Sequence, residues 1–342
     1  MELEIGQAKI NMPSYENGKC IFFGKSRCIS YNKLLREKEK KKSEPKRCSG
    51  FSAKCENFIG NTPFTPAYDE NYILPERESE ILATALAENA NILIVGPPAT
   101  GKSSLTKQLA ALLNWGLISF SCSEETTVSK ILGQWIIQGK EMKWADGYIT
   151  TAMRHGYILL EDEADFMRPE LRGEIHGIME TGGSLALSAI HPETKEPYQE
   201  IIQKHPYFRW VSTANTTGYG DDSFSYHGTN YFNAASRDRY EMIMMVEHKK
   251  PEQELEILKA KTQIDEQIAS KMISIANECR GKTVNQEMLF QFTLRRLLSW
   301  SKYHQKLGEK EAAKLAVLNF TSDADRHTIA SLMKSHMNID VN

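Results

Sequence analysis

The stretch GPPATGKSS has the residue types of a loop that binds phosphate groups. It fits the pattern G-x-x-x-x-G-K-[ST], in which glycines let backbone N–H groups point at phosphate oxygens. Lys102 is expected to reach the β- and γ-phosphates, and the Ser103 hydroxyl is expected to ligate Mg²⁺. The residues predicted to bind ATP are Gly96, Pro97, Pro98, Ala99, Thr100, Gly101, Lys102, Ser103 and Ser104. The sequence therefore predicts a site for ATP and Mg²⁺.

An acidic cluster in the segment YILLEDEADF supplies residues of a second type. A strand that delivers carboxylates at its C-terminal end, beside a phosphate loop, can hold a metal ion and activate water. We assign the metal ion to Asp162 and the role of general base to Glu163. Because Glu161 precedes them, the assignment of these two roles to Asp162 and Glu163 could be shifted by one residue. The register we prefer leaves Glu161 as a side-facing residue of the strand.

The next apolar segment, FRWVSTAN, ends in a polar residue, and two arginines follow later in the chain. Asn215 ends that segment, where its side chain can meet the γ-phosphate and hold the attacking water. Arg237 and Arg239 come after a long loop and just before the apolar segment MIMMVE. An arginine at this place is too far around the sheet to reach its own nucleotide. In a ring it faces the nucleotide of a neighbouring subunit, where it would stabilise the charge of the transition state.

The elements that must position these residues alternate between strand and helix from about residue 78, which is typical of a parallel sheet with crossover helices. NILIVG, directly before the phosphate loop, is a short apolar run of the kind that is buried on both faces of a sheet. GLISFSCS and the three apolar segments named above bring the predicted strands to five. We expect an α/β fold: a P-loop NTPase core with a parallel five-stranded sheet, followed by a C-terminal helical lid domain.

Changes in composition predict three parts of the chain: an N-terminal extension over residues 1–60, a nucleotide-binding domain over 61–248 and the helical lid over 249–342. The extension holds a lysine-rich tract, Lys33 to Arg47, which is either a nucleic-acid contact or a solvated linker, and we expect the linker. Its cysteines could bind zinc, but their spacing lacks a C-x-x-C pair, and we predict less than stoichiometric zinc. These cysteines are Cys20, Cys28, Cys48 and Cys55.

Charge and hydropathy exclude several classes of partner. The chain has 42 Lys and Arg against 44 Asp and Glu, a net charge of −2, so no overall field attracts nucleic acid or an anionic membrane. No run approaches the roughly 18 apolar residues needed to span a bilayer. The use of cysteine suits a reducing compartment. We therefore expect a cytoplasmic protein without a membrane partner.

Beyond these separate motifs, the sequence resembles the AAA+ ATPases of the MoxR branch, and within that branch the CobS-like ATPase subunits of cobaltochelatases. The resemblance rests on GPPATGKSS, on LLEDEADFMRPEL and above all on STANTTGYGDDSFSYHGTNYFNAASRDRY. It extends from about Pro63 into the C-terminal helices. It implies the AAA+ fold, with Asn215 in the sensor role and Arg239 as the arginine finger. Arg295, in FTLRRLLSW, matches the sensor arginine of the lid, with Arg296 as the nearby alternative.

The same resemblance implies partners. It implies an ATP-hydrolysing ring, expected to be a hexamer, that remodels a partner protein with a von Willebrand factor A type domain. An alternative is the ATPase subunit of a cobaltochelatase that drives cobalt insertion into a corrin; another is a nucleotide-dependent module that binds nucleic acid. The MoxR branch also carries β-hairpin insertions. WIIQGKEMKWADGYI and LALSAIHPETKEPYQEI are the candidate segments, with plain surface loops as the alternative.

Overall fold

The computed structural model describes residues 63–191, 193–220 and 228–341, and the backbone of four short strands near the N-terminus. These strands are Glu2–Ile5 (β1), Ala8–Asn11 (β2), Phe23–Gly24 (β3) and Arg27–Cys28 (β4). β1 pairs with β2 and β3 pairs with β4, both antiparallel. Several predictions fall outside the described residues: the tract Lys33 to Arg47 and the side chains of Cys20, Cys28, Cys48 and Cys55.

The chain divides into two compact units. The first contains residues 1–69, 74–96 and 102–246. The second contains residues 70–73, 97–101 and 247–342. From residue 247 onward the described elements are helical, and every described strand lies in the first unit.

Nine further strands, β5 to β13, lie in the first unit. They are, in chain order, Ile92–Val95 (β5), Leu117–Ser121 (β6), Gly133–Gln138 (β7), Glu141–Asp146 (β8), Ile158–Asp162 (β9), Ser184–Ile190 (β10), Pro197–Gln203 (β11), Arg209–Ala214 (β12) and Met242–Met245 (β13). Five of them form a parallel sheet in the order β13-β5-β12-β9-β6. The predicted α/β fold with a parallel five-stranded sheet is confirmed.

Burial explains why apolar runs form this sheet. All residues of β5 and β12 are buried, as expected for inner strands of a parallel sheet whose two faces are covered by helices. Because the strands are parallel, their carboxyl ends lie along one edge of the sheet. Val95 pairs with Ala214 and Ser121 pairs with Asp162 at that edge. The residues that follow β5, β9 and β12 are thereby brought together.

Helices of the first unit cover the sheet. They are Glu76–Glu88 (α1), Lys102–Leu112 (α2), Val128–Leu132 (α3), Tyr148–His155 (α4), Pro169–Met179 (α5) and Ala234–Asp238 (α6). α2 follows the phosphate loop and buries Leu105 and Leu109, which are four residues apart and so lie on one face of the helix. α1 ends at Glu88, and the next residue, Asn89, adopts the left-handed conformation common at helix C-termini.

The two segments proposed as insertions are both antiparallel hairpins, β7–β8 and β10–β11. In the first, Gly139 has a φ of 69°, which suits the tight turn between Gln138 and Glu141. The hairpins pack on each other through aromatic rings. Trp135 and Trp144 each have ring centroids 5.5 Å from that of Tyr198.

The helical part of the second unit contains Pro251–Thr262 (α7), Glu266–Val284 (α8), Leu294–Leu307 (α9), Glu309–Ala316 (α10) and Asp323–Met337 (α11). α8 buries Met272 and Ile275. A buried ion pair joins α7 to α8, with Arg280 Nη2 2.8 Å from Glu254 Oε1. Among the described residues, no helix is both long and apolar enough to cross a membrane. The predicted C-terminal helical region is confirmed.

Candidate functional site

The two glycines of the phosphate loop are required for different physical reasons. A Cβ on Gly96 would lie 2.0 Å from the carbonyl oxygen of Val246, so a larger residue would displace the chain that follows β13. Gly101 has a φ of +96°, a backbone conformation that residues with a Cβ rarely adopt. Space therefore selects glycine at the first position and conformation selects it at the second.

Lys102, the first residue of α2, is held at the carboxyl edge of the sheet. Its Nζ donates to the carbonyl oxygen of Gly96 at 2.5 Å and to Asn215 Oδ1 at 3.2 Å. Burial lowers the pKa of Lys102 to about 8, although the carboxylates of Asp165, Asp162 and Glu163 act in the opposite direction. The ammonium group is thus partly desolvated and lies among acceptors, as a lysine that binds phosphate must be.

A hydroxyl and a carboxylate meet beside this lysine. Ser103 Oγ donates to Asp162 Oδ1 at 2.5 Å, and the Thr213 hydroxyl donates to the same oxygen. The side-chain atoms that meet here are all oxygens, the ligand type that Mg²⁺ prefers. Ser103 and Asp162 together therefore fit a magnesium ion.

Glu163 directly follows β9 and adopts a left-handed conformation, with a φ of 58°. Its backbone N–H donates to Thr213 Oγ1 at 3.1 Å, and its Oε2 accepts from Ser121 Oγ at 2.8 Å. The side chain is exposed. A carboxylate with this exposure, one residue after the magnesium candidate, is able to accept a proton from water.

Glu161, on the other side of Asp162, is fully buried. Its Oε1 lies 2.9 Å from Arg172 Nη2 and its Oε2 accepts from Ser212 Oγ at 2.6 Å. Burial opposes ionisation, but the Arg172 guanidinium and the hydrogen bonds from Ser212, Arg172 and Trp210 outweigh it, so the pKa of Glu161 lies below its ordinary value. Glu161 is therefore a buried carboxylate with a cationic partner, and it does not face water.

Asp165 is a site residue that sequence reasoning passed over. It is fully buried, and its Oδ2 accepts the backbone N–H groups of Asn215 at 2.8 Å and Thr216 at 3.1 Å. Burial raises the pKa of Asp165, while these backbone donors and Lys102 lower it. The carboxylate fixes the backbone of Asn215, whose side chain contacts Lys102. The fourth acid of EDEAD was the available signal.

Arg239 makes its polar contacts within its own chain. Its Nη2 lies 2.7 Å from Glu180 Oε1, its Nη1 donates to Ala235 O at 2.5 Å and its Nε donates to His176 O at 3.2 Å. The side chain is 22% exposed, whereas that of Glu180 is 56% exposed. Among the described residues, these contacts do not connect Arg239 to the cluster around Lys102.

The other arginines singled out by the sequence differ in their surroundings. The Arg237 guanidinium lies 4.0 Å from the centroid of the Tyr219 ring. In the helical part, Arg296 lies 4.1 Å from the centroid of the Phe320 ring, whereas Arg295 is exposed near the start of α9. Arg295 is therefore the side chain of that pair with more freedom to meet a ligand.

Comparison with known protein families gives two matches along the chain. Residues 91–228 match a family model described as AAA domain (dynein-related subfamily). Residues 254–338 match a second model, described as CbbQ/NirQ/NorQ C-terminal. The first match contains the phosphate loop, the acidic strand and Asn215, and the second contains most of the helical part.

Curated relatives agree with these two matches. The aerobic cobaltochelatase subunit CobS of a Sinorhizobium species is 26% identical over 277 residues, which covers 78% of this chain and 81% of the relative. Protein CbbQ of Hydrogenophilus thermoluteolus is 26% identical over 203 residues, 59% of this chain and 70% of the relative. Protein NorQ of Paracoccus denitrificans is 24% identical over 216 residues, 63% of this chain and 74% of the relative.

Proposed function

Because the chain belongs to the AAA+ ATPases of the MoxR branch, we propose that it hydrolyses Mg-ATP within a homo-oligomeric ring, a hexamer, and remodels a partner protein. The observation that carries this proposal is the cluster at the carboxyl edge of the sheet. There Lys102 contacts Asn215, Ser103 contacts Asp162, and the exposed Glu163 follows directly. The cluster combines a cation for phosphate, oxygen ligands for a metal ion and a base for water.

The roles follow from the geometry. Backbone N–H groups of the loop from Gly96 to Ser104 hold the phosphates, and Lys102 adds a positive charge to them. Mg²⁺, when held by Ser103 and Asp162, would neutralise negative charge on the phosphate oxygens. Glu163 accepts a proton from the attacking water while Asn215 orients that water. The buried carboxylate of Asp165 keeps Asn215 in place.

Arg239 completes the site from a neighbouring subunit under this proposal. In its own chain the side chain bonds to Glu180, which is exposed, so the arginine lies at an accessible surface. In trans it would neutralise the charge that develops on the transferred phosphoryl group, as arginine fingers do. Arg295 is proposed as a second functional cation on the resemblance alone. Hydrolysis would then depend on assembly of the ring.

The partner we propose is a protein with a von Willebrand factor A type domain, as the resemblance to the MoxR branch implies. A narrower form of the proposal is the ATPase subunit of a cobaltochelatase, which is supported by similarity to the CobS subunit along 81% of that relative. Purification of the tagged chain from its native source in the presence of ATP, followed by mass spectrometry, tests both forms. Recovery of a large corrin-binding subunit would support the narrower one, and recovery of neither partner would contradict the remodelling role.

Mixed rings test the trans arrangement directly. Arg239→Ala and Glu163→Gln rings should each bind ATP but lose hydrolysis by about 10²-fold or more. Mixed rings place some intact Glu163 sites beside intact Arg239 side chains, so part of the activity should return. An arginine acting within its own chain cannot give that rescue. If native mass spectrometry confirms mixed rings and they stay inactive, the trans arrangement is wrong.

A further inference from the structure

Four buried residues behind the candidate site form a closed circuit of hydrogen bonds. Arg172 Nη1 donates to the Tyr240 hydroxyl at 3.3 Å, and that hydroxyl donates to Ser212 Oγ at 3.0 Å. Ser212 Oγ donates to Glu161 Oε2 at 2.6 Å, and Glu161 Oε1 accepts from Arg172 Nη2 at 2.9 Å. Arg172 donates at both of its ends and Glu161 accepts at both of its ends, so three bonds run in one direction from Arg172 through Tyr240 and Ser212 to Glu161, and each of these three polarises the next.

Burial makes this circuit expensive to disturb. Glu161 and Ser212 are fully buried, Arg172 is 2% exposed and Tyr240 is 6% exposed. A buried ion pair does not by itself stabilise a fold more than well-packed apolar residues of similar volume. A gain in stability is therefore an insufficient reason for placing a charged pair and two hydroxyls here, and the position of the circuit suggests another reason.

The members of the circuit lie next to residues of the proposed machinery. Glu161 precedes Asp162 on β9, and Ser212 lies on β12, the strand that leads to the sensor asparagine. Tyr240 directly follows Arg239. The circuit thus connects the strand ends that hold the metal and the attacking water to the chain position of the arginine finger.

We propose that this circuit is a positioning device: through the Tyr240 hydroxyl it holds Arg239 in a fixed relation to the two strand ends of the same subunit. In a ring, each finger would then be placed correctly for the neighbour's nucleotide. The inference rests on the proposed function, since it concerns a finger that acts in trans. Tyr240 is a positioning residue here, because its hydroxyl is enclosed by the circuit and does not face a nucleotide.

The Tyr240 ring is held separately from its hydroxyl. It stacks on Phe232, with ring centroids 6.3 Å apart and planes at 20°, and Phe232 in turn lies under the Arg172 guanidinium at 4.3 Å. Tyr240→Phe should therefore keep the packing and remove only the bonds of the circuit. We expect kcat to fall about tenfold, the equivalent of one lost hydrogen bond, with the Kd for ATP unchanged.

Mixed rings show whether the Tyr240→Phe substitution impairs the subunit's own site or the site of its neighbour. With an excess of Glu163→Gln subunits, most Tyr240→Phe subunits receive a finger from a subunit whose circuit is intact. Their kcat per Tyr240→Phe subunit should return to the wild-type value. With an excess of Arg239→Ala subunits, each Tyr240→Phe subunit instead supplies its own finger to the intact Glu163 site of a neighbour, so the hydrolysis rate per Tyr240→Phe subunit should keep the tenfold loss. If the Glu163→Gln mixture leaves the tenfold loss in place, the circuit acts on the subunit's own site, and the proposal is overturned.

Two further variants keep the test decisive. Ser212→Ala breaks the same circuit from the β12 side and should show the same pattern of rescue, so the inference does not depend on one variant folding. Tyr157→Phe removes a hydroxyl from another buried tyrosine of the first unit and should leave kcat unchanged. If Tyr240→Phe has no more effect than Tyr157→Phe, the circuit has no positioning role.

The mixture of Arg239→Ala with Glu163→Gln separates the two levels of failure. If that mixture recovers activity while Tyr240→Phe behaves as an own-site defect, the ring function stands and only the positioning role is wrong. If that mixture recovers nothing, the trans finger is wrong, and the positioning inference is overturned with it.

Discussion

Ser103 Oγ donates a 2.5 Å hydrogen bond to Asp162 Oδ1, although 59 positions separate the two residues in the chain. The bond joins the first turn of α2 to the end of β9. It exists because α2 starts at the carboxyl end of β5, and one further strand, β12, separates β5 from β9 in the sheet. Two oxygen atoms from distant parts of the sequence are therefore brought together at the position proposed for the metal ion.

Ser103→Ala should lower hydrolysis much more than it lowers ATP binding measured without Mg²⁺. The reason is that the phosphate contacts of the loop remain, while one of the two proposed magnesium ligands is lost. Ser103→Thr is the matched control, because it keeps the hydroxyl and still fits the loop pattern. A titration of activity with Mg²⁺ distinguishes them: the alanine variant should need more Mg²⁺ and the threonine variant should not. Equal titrations for both would contradict the ligand role.

Substitutions of the two acids on either side of Asp162 should have different effects, one on hydrolysis and the other on stability. Glu163→Gln should leave thermal unfolding and ATP binding unchanged and lower hydrolysis by about 10²- to 10⁴-fold, since the exposed carboxylate is the proposed base. Glu161→Gln leaves Arg172 as a buried cation without its carboxylate, so we expect a loss of about 3–5 kcal/mol in the free energy of unfolding. Chemical denaturation and single-turnover hydrolysis measure the two effects. A stable Glu161→Gln variant without activity would mean that Glu161, and not Glu163, is the base.

Arg239 and Glu180 provide a test of whether their ion pair matters for turnover. The pair is partly exposed, and exposed pairs contribute about 0–1 kcal/mol. Glu180→Gln should therefore change kcat by less than about fivefold, whereas Arg239→Ala should lower it by about 10²-fold or more. Steady-state hydrolysis at saturating ATP measures both. Equal losses in the two variants would mean that Arg239 acts through its own chain, as a structural residue.

The strands could be predicted from sequence because each is a short apolar run, and the loop because its pattern is specific. Side-chain partners could not be predicted in the same way. Arg172 lies 11 positions from Glu161, and Tyr240 lies 79 positions away, so only the packed fold brings them together. One physical clue was present: inner strands of a parallel sheet are covered on both faces, and a carboxylate within such a strand needs a cation or several donors. That reasoning identifies Glu161 as buried, but it does not name its partner.

Lys102 gives a pH dependence whose sign follows from burial. Its pKa is lowered from 10.5 to about 8, so the ammonium group loses its proton as pH rises through 8. The Kd for ATP should be constant from pH 7 to 7.5 and should increase above pH 8, because the neutral amine no longer attracts phosphate. Lys102→Arg should bind ATP without this increase, because its guanidinium stays charged throughout the range. Isothermal titration calorimetry between pH 7 and 9.5 makes the comparison.

The stability of the protein without nucleotide should change in the opposite direction over nearly the same range. Between pH 8 and 10.5 the unfolded chain holds a proton on Lys102 that the folded chain has released, so this group makes the free energy of unfolding increase as pH rises. Lys102→Met removes the titrating group and should flatten that part of the profile. The free energy of unfolding is measured by urea denaturation at each pH for the wild-type protein and for the methionine variant. The difference between the two values isolates the contribution of Lys102. A difference that is constant from pH 8 to 10.5 would show that the folded-state pKa of Lys102 is ordinary, and the affinity prediction would fail with it.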